Sequence, residues 1–119
     1  MEPIEINAGE WYLRALRCDE RVDDGPALAE HGVADPARYV ASASRAWTDE
    51  SRFSWAVCEP TSGEMLGEVA LVPLGEPDER VALTAWHNPG HAQAVETARA
   101  AVRRFAEGAL GMHVTDTAP

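Results

Sequence analysis

Phe53-Ser54-Trp55-Ala56-Val57-Cys58, Glu59-Pro60-Thr61-Ser62-Gly63-Glu64 and Met65-Leu66-Gly67-Glu68-Val69-Ala70-Leu71 follow one another in the chain, and their reading decides the fold. In the first run Phe53, Trp55 and Val57 fall on one face by strict alternation, the pattern of a strand. The second places proline and glycine among short polar residues, which is turn chemistry. The third alternates again through Met65, Gly67, Val69 and Leu71. Residues 73–78 break the chain once more, and Val81, Leu83 and Ala85 then alternate with Ala82, Thr84 and Trp86 in a further strand. Neighbouring strands joined by turns predict an antiparallel meander.

Helical patterns lie on both sides of this meander. Downstream, Asn88-Pro89-Gly90 ends the last strand and a long helix is expected over residues 92–110. Val95, Ala98, Val102, Phe105, Ala106 and Ala109 share one face of it, Glu96, Arg99, Arg103 and Glu107 the other, and Gly111 is placed to stop it. His113-Val114-Thr115 has the look of the start of another strand. Upstream, residues 11–17 alternate as a first strand, with Tyr12 and Leu13 competing for the core face. The acidic stretch 19–24, then Gly25-Pro26 and Ala27-Leu28-Ala29, predicts a short helix. Asp35-Pro36 is a stronger signal, an acid at the N-cap followed by proline at the first helical position. Tyr39, Val40, Ala43, Ala46 and Trp47 recur at helical spacing behind it, so that helix runs to about Trp47. The order β-α-α-β-β-β-α over residues 1–119 predicts a single α/β (α+β) domain built on a mainly antiparallel sheet.

Composition narrows the function classes. The chain has 119 residues, 20 acidic and 10 basic, with a net charge of −10, and all of its basic residues apart from histidine are arginine. Such a surface repels phosphate backbones and anionic lipid, so neither nucleic acid nor membrane is expected as a partner, whereas cations are drawn to it. Solubility is the plainer use of this charge, and mimicry of nucleic acid rests on the net charge alone. No run approaches the roughly 18 to 20 apolar residues of a membrane span, and the acidic start Met1-Glu2-Pro3-Ile4-Glu5 is not a secretion signal. A cytoplasmic protein is therefore expected. Cys18 and Cys58 form no metal knuckle; buried free thiols are expected, with a disulfide as the alternative. No intact phosphate-binding loop and no Ser-His-Asp order occurs. Of the tryptophans, Trp55 and Trp86 suit core packing, and Trp11 and Trp47 stand near element ends, where a partner surface is the alternative.

Several segments share their order with a known family. Leu13-Arg14-Ala15-Leu16 followed by Asp19, Trp55-Ala56-Val57 before Ser62-Gly63-Glu64, and Leu66-Gly67-Glu68-Val69-Ala70-Leu71 make up the first half of the likeness. Ala85-Trp86-His87-Asn88-Pro89, Arg104-Phe105-Ala106 and Leu110-Gly111-Met112-His113-Val114 complete it. In these the chain resembles the GNAT acetyltransferases, and most closely the branch that acetylates ribosomal-protein N-termini. The resemblance implies a GNAT-like fold, acetyl-coenzyme A as cofactor and an amine as acceptor. It also implies that the family's usual C-terminal helix and strands are missing here, and that a homodimer or a protein partner completes the sheet.

The same resemblance places the cofactor's pyrophosphate where the loop enters the long helix, which makes Trp86, His87, Gly90, His91, Ala92 and Gln93 the candidate cofactor residues. The loop departs from the family pattern, since it keeps only Gly90, has no arginine and is short, while Glu96 is expected to bring a negative charge to the first helical turn. From these departures, lost or reduced acetyl-coenzyme A binding and a role as a binding or assembly module are expected. The alternative is a small acetyl-coenzyme A-dependent N-acetyltransferase whose cleft is completed by dimerisation. Glu68 is the candidate acceptor-side base, since a carboxylate can take a proton from an ammonium; its alternative is a solvent-facing strand residue. His87 and His91 flank the turn, but no further ligands accompany them, so no metal is expected.

Overall fold

The computed structural model describes residues 1–75 and 80–116. Its elements are β1 (Ile6–Ala8), β2 (Trp11–Arg14), α1 (Gly25–Glu30), α2 (Pro36–Asp49), β3 (Phe53–Cys58), β4 (Met65–Pro73), β5 (Arg80–His87), α3 (Ala92–Gly108) and β6 (His113–Asp116). The strands form one sheet in chain order, antiparallel except where β6 joins β5 in parallel. The parallel step follows from α3, the helix that carries the chain back to the start of β5. The α+β architecture and the antiparallel meander are as the sequence predicts. The expected break over 73–78 lies in part outside the described residues.

Alternation in β3 serves both faces. Trp55 and Val57 join the cluster that α3 covers, together with Leu13, Val69, Leu83, Val95 and Val102. Ala56 and Cys58 join a second cluster with Leu28 of α1 and Ala43 of α2. All of β3 is therefore buried, and the rivalry between Tyr12 and Leu13 resolves with Leu13 on the α3 side and Tyr12 against the second cluster. A bulge at Leu66 shifts the β3–β4 register between Val57 and Cys58 and turns Leu66 to the α3 side, while Met65 stays with the other cluster.

Four local readings differ. β1 is an added strand: Ile6-Asn7-Ala8 is too short to show a period, and it forms because Gly9, at φ +62°, lets a two-residue turn fold it onto β2. β2 ends at Arg14 rather than at 17, because the Arg17 amide donates to the Asp24 carboxylate at 2.7 Å instead of to a strand. The predicted start of a strand at His113 is realised as β6, while α3 closes at Gly108, two residues early. Trp47 is 1% exposed, with its indole donating to the Ser54 carbonyl, so it is core rather than partner surface. The Asp35 cap is as expected, its carboxylate accepting from the Arg38 amide at 3.1 Å ahead of Pro36.

Candidate functional site

Glu68 lies on β4 with its side chain on the face that carries α1 and α2, and it is 1% exposed. Its Oε1 accepts from the Tyr39 hydroxyl at 2.6 Å and from Trp86 Nε1 at 2.8 Å, and its Oε2 accepts from Arg52 at 3.2 Å. The alternative of a solvent-facing strand residue is thus overturned. Each partner comes from a different element: Tyr39 from α2, Trp86 from β5, and Arg52 from the approach to β3. A buried carboxylate is tolerable only with such donors around it. Burial, reinforced by the adjacent Glu68 charge, pushes the Tyr39 phenol up to about 12, so it stays a neutral donor. Chemically, the cluster is a fixed anion closed in by donors.

Trp86 packs with the α1–α2 cluster, its ring stacked on His31 at 3.8 Å and 5° between planes. His87 is exposed and sets Nδ1 3.1 Å from the neighbouring Asn88 carbonyl oxygen. Gly90, at φ +90°, turns the chain into α3, and His91 stands at the N-cap without a side-chain capping bond. The first turn, which includes Ala92 and Gln93, contains no acid. Glu96 sits beyond that turn and approaches Arg99 at 3.8 Å, so the expected negative charge at the helix start is corrected. The amides that open α3 are therefore uncontested by a carboxylate of their own helix.

Two clefts meet at His91. One, of about 470 Å³, runs between Gly9, Glu10 and Trp11 on the β1–β2 turn and Gly90, His91 and Gln93 at the start of α3. The other, of about 390 Å³, lies between α1 and the β3–β4 turn. Of the candidate cofactor residues, Gly90, His91 and Gln93 come together on the first cleft, whereas Trp86, His87 and Ala92 do not line it. Among the described residues no arginine lines that cleft, and Glu10 does.

Sequence reasoning missed two anchors. Asn88, 5% exposed, donates its amide N–H to the Leu66 carbonyl and its Nδ2 to the Ala27 carbonyl, tying β5 to β4 and α1. Asp24 stands at the N-cap of α1, as the acidic stretch leads one to expect, but its carboxylate does not cap the helix: it is buried and forked by Arg14 at 2.8 and 2.9 Å, while Arg14 also donates to the Gly63 carbonyl. The signal was the acidic stretch itself, whose partner lies ten residues back across a loop. Among the described residues no group of His, Cys, Asp and Glu is arranged to hold a metal, and no helix is long and apolar enough to cross a membrane.

No protein-family model matches the chain, and a search of curated proteins finds no match. Solved structures do match. One is a Vibrio cholerae protein assigned as a ribosomal-protein-serine acetyltransferase: TM-score 0.81, 14% identity, over 96% of this chain and 75% of that one. The ribosomal-protein-S5-alanine acetyltransferase of Vibrio fischeri gives 0.76 at 9% identity, over 95% and 73%. Mycobacterium smegmatis RimJ, solved in complex with CoA-disulfide, gives 0.73 at 12% identity, over 98% and 70%. The fold is that of the GNAT acetyltransferases, ribosomal-protein acetyltransferases among them.

Proposed function

We propose that this chain uses an acetyltransferase fold as a binding module, with acetyl-coenzyme A binding lost or reduced. The observation that carries the reading is the enclosure of Glu68. A general base needs a lone pair open to the acceptor proton, and here Glu68 is buried, with Tyr39, Trp86 and Arg52 taking three of its about four acceptor positions. The cleft beside α3 supports the same reading, since Glu10 lines it and, among the described residues, no arginine does, which weakens a seat for a diphosphate.

A second reading, a small acetyl-coenzyme A-dependent N-acetyltransferase, is favoured by one feature. The α3 N-terminus follows a left-handed Gly90 and is free of a side-chain cap and of first-turn acid, which suits an anion. Calorimetric and thermal-shift titration with acetyl-coenzyme A separates the two. Ligand at 100 times its dissociation constant stabilises a fold by about 2.7 kcal/mol. No shift at millimolar ligand is the expected result; a saturating shift with acetyl transfer to an amine overturns the proposal.

A further inference from the structure

A further cleft, of about 510 Å³, opens between α2 and the approach to β3, and no step above uses it. Tyr39, Ser42, Ala43 and Ala46 of α2 line it, together with Ser51 and Arg52. Among the described residues its lining carries one cation, Arg52, and no acid. The two clefts that meet at His91 differ: Glu10 lines the one beside α3, and in the other Arg21 stands among Asp23, Glu30 and Glu64. In a chain of net charge −10, a cleft lined by a cation without an acid points to an anion.

Arg52 keeps donors for a second acceptor. Its Nη1 donates to Glu68 Oε2 at 3.2 Å, beside the Tyr39 hydroxyl, while its side chain stays 31% exposed. A guanidinium has five N–H groups in a rigid fork, so some remain once the buried carboxylate is served. Glu68 is itself fixed by Tyr39 and Trp86, which makes it a firm anchor for the arginine. Ser42 Oγ accepts from Arg45 at 3.2 Å, which leaves the Ser42 O–H to donate, and Arg45 has no carboxylate partner among the described residues. The Ser51 side chain is also without a partner among the described residues. Asp49 and Glu50 end α2 but do not line the cleft.

We propose that this cleft binds the carboxylate of a small organic acid, with Arg52, Ser42 and Ser51 as donors and Ala43 and Ala46 against its carbon chain. The planar fork of an arginine matches a carboxylate. The net charge of −10 opposes every unit of ligand charge, so a monoanion is favoured over a phosphate dianion. The same repulsion means that an anion which does bind is held by the contacts of the cleft and not by diffuse attraction. The site shares no residue with the cleft beside α3, so its failure is separate from failure of the binding-module reading.

The probe is 4-methylpentanoate, titrated at pH 7 without acetyl-coenzyme A into ¹⁵N-labelled protein and followed by amide shifts. The neutral 4-methylpentanamide and inorganic phosphate are the comparison ligands. Saturating shifts centred on Ser42, Ala46, Ser51 and Arg52 are expected from the acid, none from the amide, and weaker binding from phosphate. Arg52→Gln should abolish binding, but it also strips a donor from buried Glu68. Arg45→Gln and Ser51→Ala, at exposed positions, therefore serve as second variants, and each should weaken binding about threefold. Arg104→Gln, at an exposed position of α3, removes the same charge as Arg45→Gln and should leave binding unchanged. Shifts without saturation, an amide or phosphate as effective as the acid, or equal weakening by Arg45→Gln and Arg104→Gln would overturn the proposal.

Discussion

The Tyr39 hydroxyl donates to Glu68 Oε1 at 2.6 Å, so a residue near the start of α2 closes the carboxylate of a residue in the middle of β4. Twenty-nine positions separate the two in the chain. This contact, with the Arg52 and Trp86 bonds, fastens α2 and β5 to one buried anion. Replacing Tyr39 by Phe keeps the ring and deletes the donor. The expected cost is about 1 to 3 kcal/mol in urea denaturation, as for a buried acceptor stripped of a partner. A variant as stable as the parent would show that water replaces the hydroxyl.

The same pair sets a limit at high pH. The Tyr39 phenol is raised from 10.0 to about 12 by burial and by the Glu68 charge, so the folded state holds its proton more tightly than the unfolded chain. This contribution to stability is complete below about pH 10 and fades as the pH rises toward about 12. Ultraviolet titration of phenolate should show Tyr39 ionising late, a late step that Tyr39→Phe removes. Ionisation of both tyrosines together near their ordinary value contradicts it.

Asp24 and Arg14 form a forked pair with side chains 1% and 7% exposed. Asp24→Asn keeps the shape and strips the charge, leaving a buried guanidinium unbalanced. A loss of about 3 to 5 kcal/mol is expected, and the double change Arg14→Met with Asp24→Leu should recover much of it. Chemical denaturation of Asp24→Asn, of Arg14→Met and Asp24→Leu singly and of their double variant measures this, and an additive double variant would show that the pair is not coupled.

Gly67 is required by close approach. A Cβ there would stand 2.5 Å from Val95 Cγ2 and collide with the Trp86 carbonyl oxygen. The carbonyl belongs to the β5 backbone and cannot swing away, so Gly67→Ala should cost about 2 to 3 kcal/mol by overpacking. The thermal midpoint of the variant reads the effect; an unchanged midpoint would mean that α3 can lift from the sheet freely.

Cys58 is fully buried and its thiol is pushed up to about 12, mainly by burial, whereas Cys18 is half-buried. Thiolate is the reacting species, so a disulfide reagent at neutral pH should label Cys18 first and reach Cys58 only as the protein unfolds. Equal labelling rates in the native state would contradict this burial.

The meander, the two longer helices and the Asp35 cap were legible in the chain because their causes are local. Side-chain alternation, turn residues and capping act over a few positions, and Trp55, Gly63 and Pro36 carry them wherever the chain folds. What Glu68, Asp24, Asn88 and Trp47 do was decided only by tertiary structure. A lone carboxylate in a strand reads alike whether it faces water or three donors, and its donors here lie 16 to 29 positions away. Burial of a polar group depends on partners that the sheet and helices bring together, and that proximity has no period to read. The fold thus follows from short-range pattern, while the closed carboxylate and the two clefts meeting at His91 exist only once the layers have packed.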